Sequence, residues 1–116
     1  MALEGISRQL AQIRASGTSA VSAINKQARS KLLITSIIVA NTTAGSVNYS
    51  IYLDTNGTTY TQATALFYAV ALAANSTAII EFVNGLPIDS STANGHLAVQ
   101  TSSSEALTFT INGIEY

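Results

Sequence analysis

Few side chains in this sequence are equipped for covalent or metal chemistry. There is one histidine, His96, and no cysteine. A zinc or thiol centre needs several such ligands together, so His96 reads as a loop residue beside Asn94-Gly95. The carboxylates Glu81, Asp89 and Glu105 fall on three separate segments. No Lys or Arg after position 31 is available to tune them as an acid and base pair. No glycine-rich phosphate loop and no nucleophile elbow is present. These residues predict a protein that is not an enzyme and that carries no cofactor or metal. Binding chemistry is better represented. Tyr52 and Tyr60 flank Asn56-Gly57 and would present two rings to a sugar, whereas the alternation around Tyr49 and Tyr68 turns those two toward a core.

The chain that must position these groups has 116 residues, enough for one compact domain. Hydrophobic residues make up 47% and charged residues only 9%, against about 25% charged in an ordinary soluble domain. Disorder is excluded by that balance. Ser and Thr together number 28, so the polar surface is built from hydroxyls and amides. No apolar run reaches the 18 or so residues of a membrane helix, and Glu4, Arg8 and Arg14 interrupt any secretory pattern. Cytoplasmic synthesis without membrane association is expected. Four Asn-X-Ser/Thr sequons, at Asn41, Asn48, Asn56 and Asn75, are near what this Ser/Thr content yields by chance.

The net charge is −1, but it is divided along the chain. All five cations, Arg8, Arg14, Lys26, Arg29 and Lys31, lie in the first 31 positions, opposed there only by Glu4, and the other five acids, Asp54, Glu81, Asp89, Glu105 and Glu115, lie after them. Residues 1–31 thus read as a basic arm and 32–116 as a neutral-to-acidic body. Within the arm, Leu3, Ile6, Leu10 and Ile13 recur at steps of three and four, which predicts an amphipathic helix over 2–15 closed by Gly17. The same spacing permits a heptad seam of three or four strands. These apolar anchors and the five cations are the candidate interaction residues. Nucleic acid is not an expected partner: the first 48 positions contain no aromatic residue for stacking, and the body would repel phosphate.

From residue 32 onward the pattern is β. Leu32 to Asn41 is apolar on both alternating faces, as in a central or covered strand. Val47, Tyr49, Ile51 and Leu53 alternate with Asn48, Ser50 and Tyr52 in a half-buried strand, and Leu66, Tyr68, Val70 and Leu72 line the next. Ala78 to Val83, Leu97 to Thr101 and Leu107 to Ile111 follow. Residues 84–95 read as a loop with the only proline, Pro87. Four Asn-Gly pairs, at 56, 84, 94 and 112, supply turns. Short strands with such turns, and no crossover helix, predict an antiparallel β-sandwich or jelly roll. Thr18 to Asn25 fits neither period.

The run Leu33-Ile34-Thr35-Ser36-Ile37-Ile38-Val39-Ala40-Asn41-Thr42-Thr43-Ala44-Gly45-Ser46-Val47, continuing to Leu53, resembles small β-sandwich virion proteins of tailed bacteriophages. The stretch from Leu72 to Phe82 and the ending Ala106 to Tyr116 resemble later elements of that pattern, so the likeness covers residues 32–116. It implies a capsid decoration (cement) protein at the virion surface, partnered by the major capsid protein and oligomeric, with a homotrimer favoured. It also implies a strand at 18–25. A tail or fibre module binding host glycans through the Asn56 and Pro87 loops is the alternative. The low-charge surface suits close symmetric packing without desolvating ions.

Overall fold

A computed structural model describes residues 6–24, 31–54, 60–89 and 96–115. Among the described residues are eight strands, β1 (Ile6–Arg14), β2 (Val21–Ile24), β3 (Lys31–Asn41), β4 (Val47–Asp54), β5 (Ala65–Leu72), β6 (Thr77–Asp89), β7 (His96–Thr101) and β8 (Leu107–Glu115), and a single 3-10 turn at Gln62–Thr64. They form two antiparallel four-stranded sheets, ordered β1-β8-β3-β6 and β2-β7-β4-β5. Consecutive strands alternate between sheets or return by long connections. That order makes the sandwich a jelly roll. The core lies between the sheets, where Ile34, Ile37, Val39, Ile51, Leu97, Val99, Leu107, Phe109 and Ile111 are fully buried.

The expected helix is a strand. Described residues 6–14 run antiparallel to β8, from Ile6↔Glu115 to Arg14↔Thr108, and no heptad seam exists there. A β-bulge explains the misleading spacing. Gln9 pairs with Asn112 and Ala11 with Ile111, so Leu10 is an extra residue. A bulge interrupts the two-residue alternation. Leu10, Ala11 and Ile13 all pack against the core, and a three-residue step that reads as helical is a strand with one residue inserted. The ambiguous segment contains β2, which pairs with β7.

The same effect resolves the two apolar faces of β3. Ile34 opposes Gly113 and Ser36 opposes Asn112, leaving Thr35 extra. Leu32 and Ile34 before the bulge, and Ile37 and Val39 after it, therefore all point inward, whereas Leu33, Ser36 and Ile38 are only partly buried. On its other side β3 meets β6, where Leu86 and Glu81 are the partners of Ile34 and Ser36 and residues 82–85 bow out against Thr35. Gly85 occupies the left-handed region there, at φ 77°. Pro87, expected in a loop, lies within β6, an edge strand that can dispense with one donor. Asn112-Gly113 is likewise no turn but part of β8.

Buried Asn41 ties the end of β3 to two neighbouring turns. Its Nδ2 donates to the carbonyls of Gly45 (2.9 Å), Leu72 (3.0 Å) and Ala73 (3.1 Å), and its Oδ1 accepts from the backbone N–H and hydroxyl of Thr43. A side chain so enclosed is not a glycan acceptor.

Candidate functional site

The sheet containing β4 has an outer face made of hydroxyls, amides and two tyrosines. Asn48, Ser50 and Tyr52 on β4 alternate with the core residues Val47, Tyr49 and Ile51, and Gln100 on β7 lies opposite Ser50. Contrary to the half-buried pattern, Ser50 and Tyr52 are also buried. Tyr52 is 1% exposed, and its ring meets that of Tyr60 in a tilted pair with a centroid separation of 6.1 Å. The two rings bracketing Asn56-Gly57 do meet, but as packing rather than as a solvent-facing pair. The Tyr60 hydroxyl is buried and has no hydrogen-bond partner.

β5 presents the ring that is accessible. Tyr49 pairs with Val70 and Ile51 with Phe67, so Tyr68 and Ala69 together oppose Ser50 alone. Ala69 sits in the left-handed region at φ 49°, and its N–H donates to Ser50 Oγ at 2.9 Å. This bulge reverses the alternation along β5. Phe67 and Val70 pack on the core, while Tyr68, expected inside, is 50% exposed. Bulges re-aim side chains in this way beside functional sites.

Two adjoining depressions, of about 170 and 530 Å³, flank Tyr68 and share Gln100 in their walls. The Gln100 amide is held at both ends. Its Oε1 accepts from the Tyr52 hydroxyl and its Nε2 donates to the Thr18 carbonyl at 2.8 Å. Ser102 Oγ accepts from the Asn48 N–H at 2.9 Å. None of the residues lining either depression is charged. On the inner face of the same sheet, burial pushes the Tyr49 hydroxyl above its ordinary pKa.

The sequence-predicted interaction residues are dispersed. Leu3, Lys26 and Arg29 lie outside the described residues. Ile6 begins β1, and Lys31 begins β3 opposite Asp89. Leu10 and Ile13 are turned toward the core. Arg8 forms an ion pair with Glu115 at one end of β1, and Arg14, at the other, reaches the hydroxyls of Thr108 (3.3 Å) and Thr42 (3.5 Å). Six residues of extended chain place the two arginines about 20 Å apart. Pro87 lies in β6 of one sheet and Tyr52 in β4 of the other, and Asn56 lies outside the described residues. Among the described residues no three of His, Asp and Glu come together as metal ligands. Nor is any helix among the described residues long and apolar enough to cross a membrane.

Strand order and core together define an eight-stranded jelly roll, an architecture used by viral capsid and lectin domains. No family model and no curated protein matches the chain. Among solved structures, its fold is similar to a chain in the structure of infectious bursal disease virus Gx strain, with a TM-score of 0.50 and 17% identity over 97% of this chain and 32% of that one. A chain in the structure of the Gt strain gives a TM-score of 0.41 and 14% identity over 97% and 28% of the respective chains. This chain thus spans about a third of the length of those it matches. At such identity the likeness is one of fold. It corrects the bacteriophage assignment implied by the sequence: a solved structure of similar fold is that of infectious bursal disease virus, not of a tailed phage. Strand rhythm and Ser/Thr/Ala composition are shared by many sandwiches and do not specify a source.

Proposed function

We propose that this chain is a structural, non-enzymatic protein of a virus particle. The observation that carries the reading is the jelly-roll strand order, together with the similarity of nearly the whole chain to part of one chain in a virus structure. This is an argument from fold, and the surface supplies its physical support. β2, β5 and β6 are sheet edges without a single Lys or Arg, the usual guard against edge pairing. β6 also exposes Ile79 (63%) and Val83 (97%), which suits burial against another subunit. Within this reading the protein decorates a capsid shell at the virion surface. It binds the major capsid protein and further copies of itself, with a homotrimer as the assembly.

Two measurements test this. Mass spectrometry of purified particles from the source virus should find the chain in many copies per particle, and its absence would overturn the reading. Light scattering of the purified chain should give three times the monomer mass, and Ile79→Asp with Val83→Asp should reduce assembly without unfolding the monomer. A monomer at all concentrations would remove the trimer.

A further inference from the structure

We propose that the outer face of the β2-β7-β4-β5 sheet is a binding site for a neutral saccharide, with Tyr68 as its stacking platform. The inference is independent of the virion role. It begins from what the groove lacks: among the described residues, no carboxylate, guanidinium, ammonium or imidazole lines either depression beside Tyr68. A charged ligand would lose its hydration there and gain no counter-charge. A neutral ligand rich in hydroxyls would meet partners of its own kind.

Those partners are held in place before any ligand arrives. Ser50 Oγ accepts from the Ala69 N–H and retains its own hydroxyl hydrogen to donate. Ser102 Oγ, fixed by the Asn48 N–H, does the same. Gln100 is anchored by Tyr52 and Thr18, which leaves one N–H and one lone pair of its amide to spare. Groups whose orientation is already fixed by protein hydrogen bonds lose little freedom when they bind.

The aromatic element is placed by strain. Ala69 has a left-handed φ that is unfavourable for an alanine, and the bulge it completes turns the Tyr68 ring out between the two depressions. A packing role for Tyr68 would have favoured the regular alternation that buries it. A half-exposed ring beside fixed, uncharged donors and acceptors is complementary to a pyranose, which has an apolar C–H face and a rim of hydroxyls. The depressions are shallow and open, so affinity in the millimolar to high micromolar range is expected for a single sugar unit.

The test is a titration of the isotope-labelled full chain with methyl glycosides of glucose, galactose, mannose and the two common N-acetylhexosamines, followed by amide chemical shifts. At least one should perturb Asn48, Ser50, Tyr68, Gln100 and Ser102 together. Tyr68→Ala should weaken that binding by about tenfold or more. Ser102→Ala, which deletes an exposed hydroxyl donor from the groove wall, should weaken binding about fivefold while leaving the unfolding midpoint nearly unchanged. Three results would overturn the site: no perturbation by any of the five glycosides, perturbations centred elsewhere, or unchanged affinity in both variants. The same shifts appearing with rising protein concentration and no sugar would reassign the face to contact between copies.

Discussion

Gly113 of β8 lies against the main chain of Leu33 in β3, so closely that a Cβ at position 113 would stand 2.3 Å from the Leu33 carbonyl oxygen and 2.8 Å from Leu10 Cδ1. Here β1 and β3 both carry a bulge beside the unbroken β8. Glycine within a strand marks such a close backbone approach. Gly113→Ala should force β3 away from β8 and destabilise the fold by about 2–4 kcal/mol, read as a lower urea midpoint with an unchanged slope. Gly85→Ala meets the flexible Leu33 side chain, together with an unfavourable φ, and should cost about 1–3 kcal/mol.

Asn41→Ala removes five hydrogen bonds from a buried position and leaves the Leu72 carbonyl without its Asn41 donor. A loss of about 2–4 kcal/mol is expected, because buried groups are left unsatisfied rather than returned to water. Equilibrium denaturation measures it. Hydrogen exchange should rise first in the two turns that Asn41 joins, at 42–46 and 73–76.

The Arg8–Glu115 pair joins the two chain ends across β1 and β8, but its side chains are 55% and 33% exposed. An ion pair so hydrated contributes little. Arg8→Gln, Glu115→Gln and the double variant should each change stability by less than about 1 kcal/mol, and the coupling from the double-mutant cycle should fall further at high salt.

Alkaline pH should expose the burial of Tyr49. Its pKa lies above the ordinary value of 10.0 because the phenolate would be desolvated in the core. Above that pH the unfolded chain releases the proton while the native state keeps it, so the native state binds more protons and stability falls as pH rises. Below about pH 9 the residue contributes no slope. Tyr49→Phe should flatten the decline of the urea midpoint between about pH 9 and pH 11 relative to the unsubstituted chain.

The strand content after residue 31 is legible in the sequence because alternation and turn residues are local properties. β4, β7 and β8 stand where Val47–Leu53, Leu97–Thr101 and Leu107–Ile111 mark them, and the class of fold follows from their number. The charge division is legible for the same reason. A bulge is not local. Whether Leu10, Thr35 or the Tyr68–Ala69 pair carries an extra residue depends on which strand lies opposite, and each bulge changes the face on which later residues fall. For that reason the spacing at 2–15 reads as helical, β3 reads as apolar on both sides, and Tyr68 falls on the core-facing alternation of the sequence. The groove beside Tyr68 was illegible for a further reason: it brings together residues from Thr18 to Ser102 whose only relation is position across the sheet. Composition and period made this chain a β-sandwich with its cations at one end of the sequence. Pairing across strands ordered the sheets as a jelly roll, set Arg8 and Arg14 at opposite ends of β1, and turned one tyrosine outward, because side-chain direction in a sheet is set by register between strands as well as by position along one.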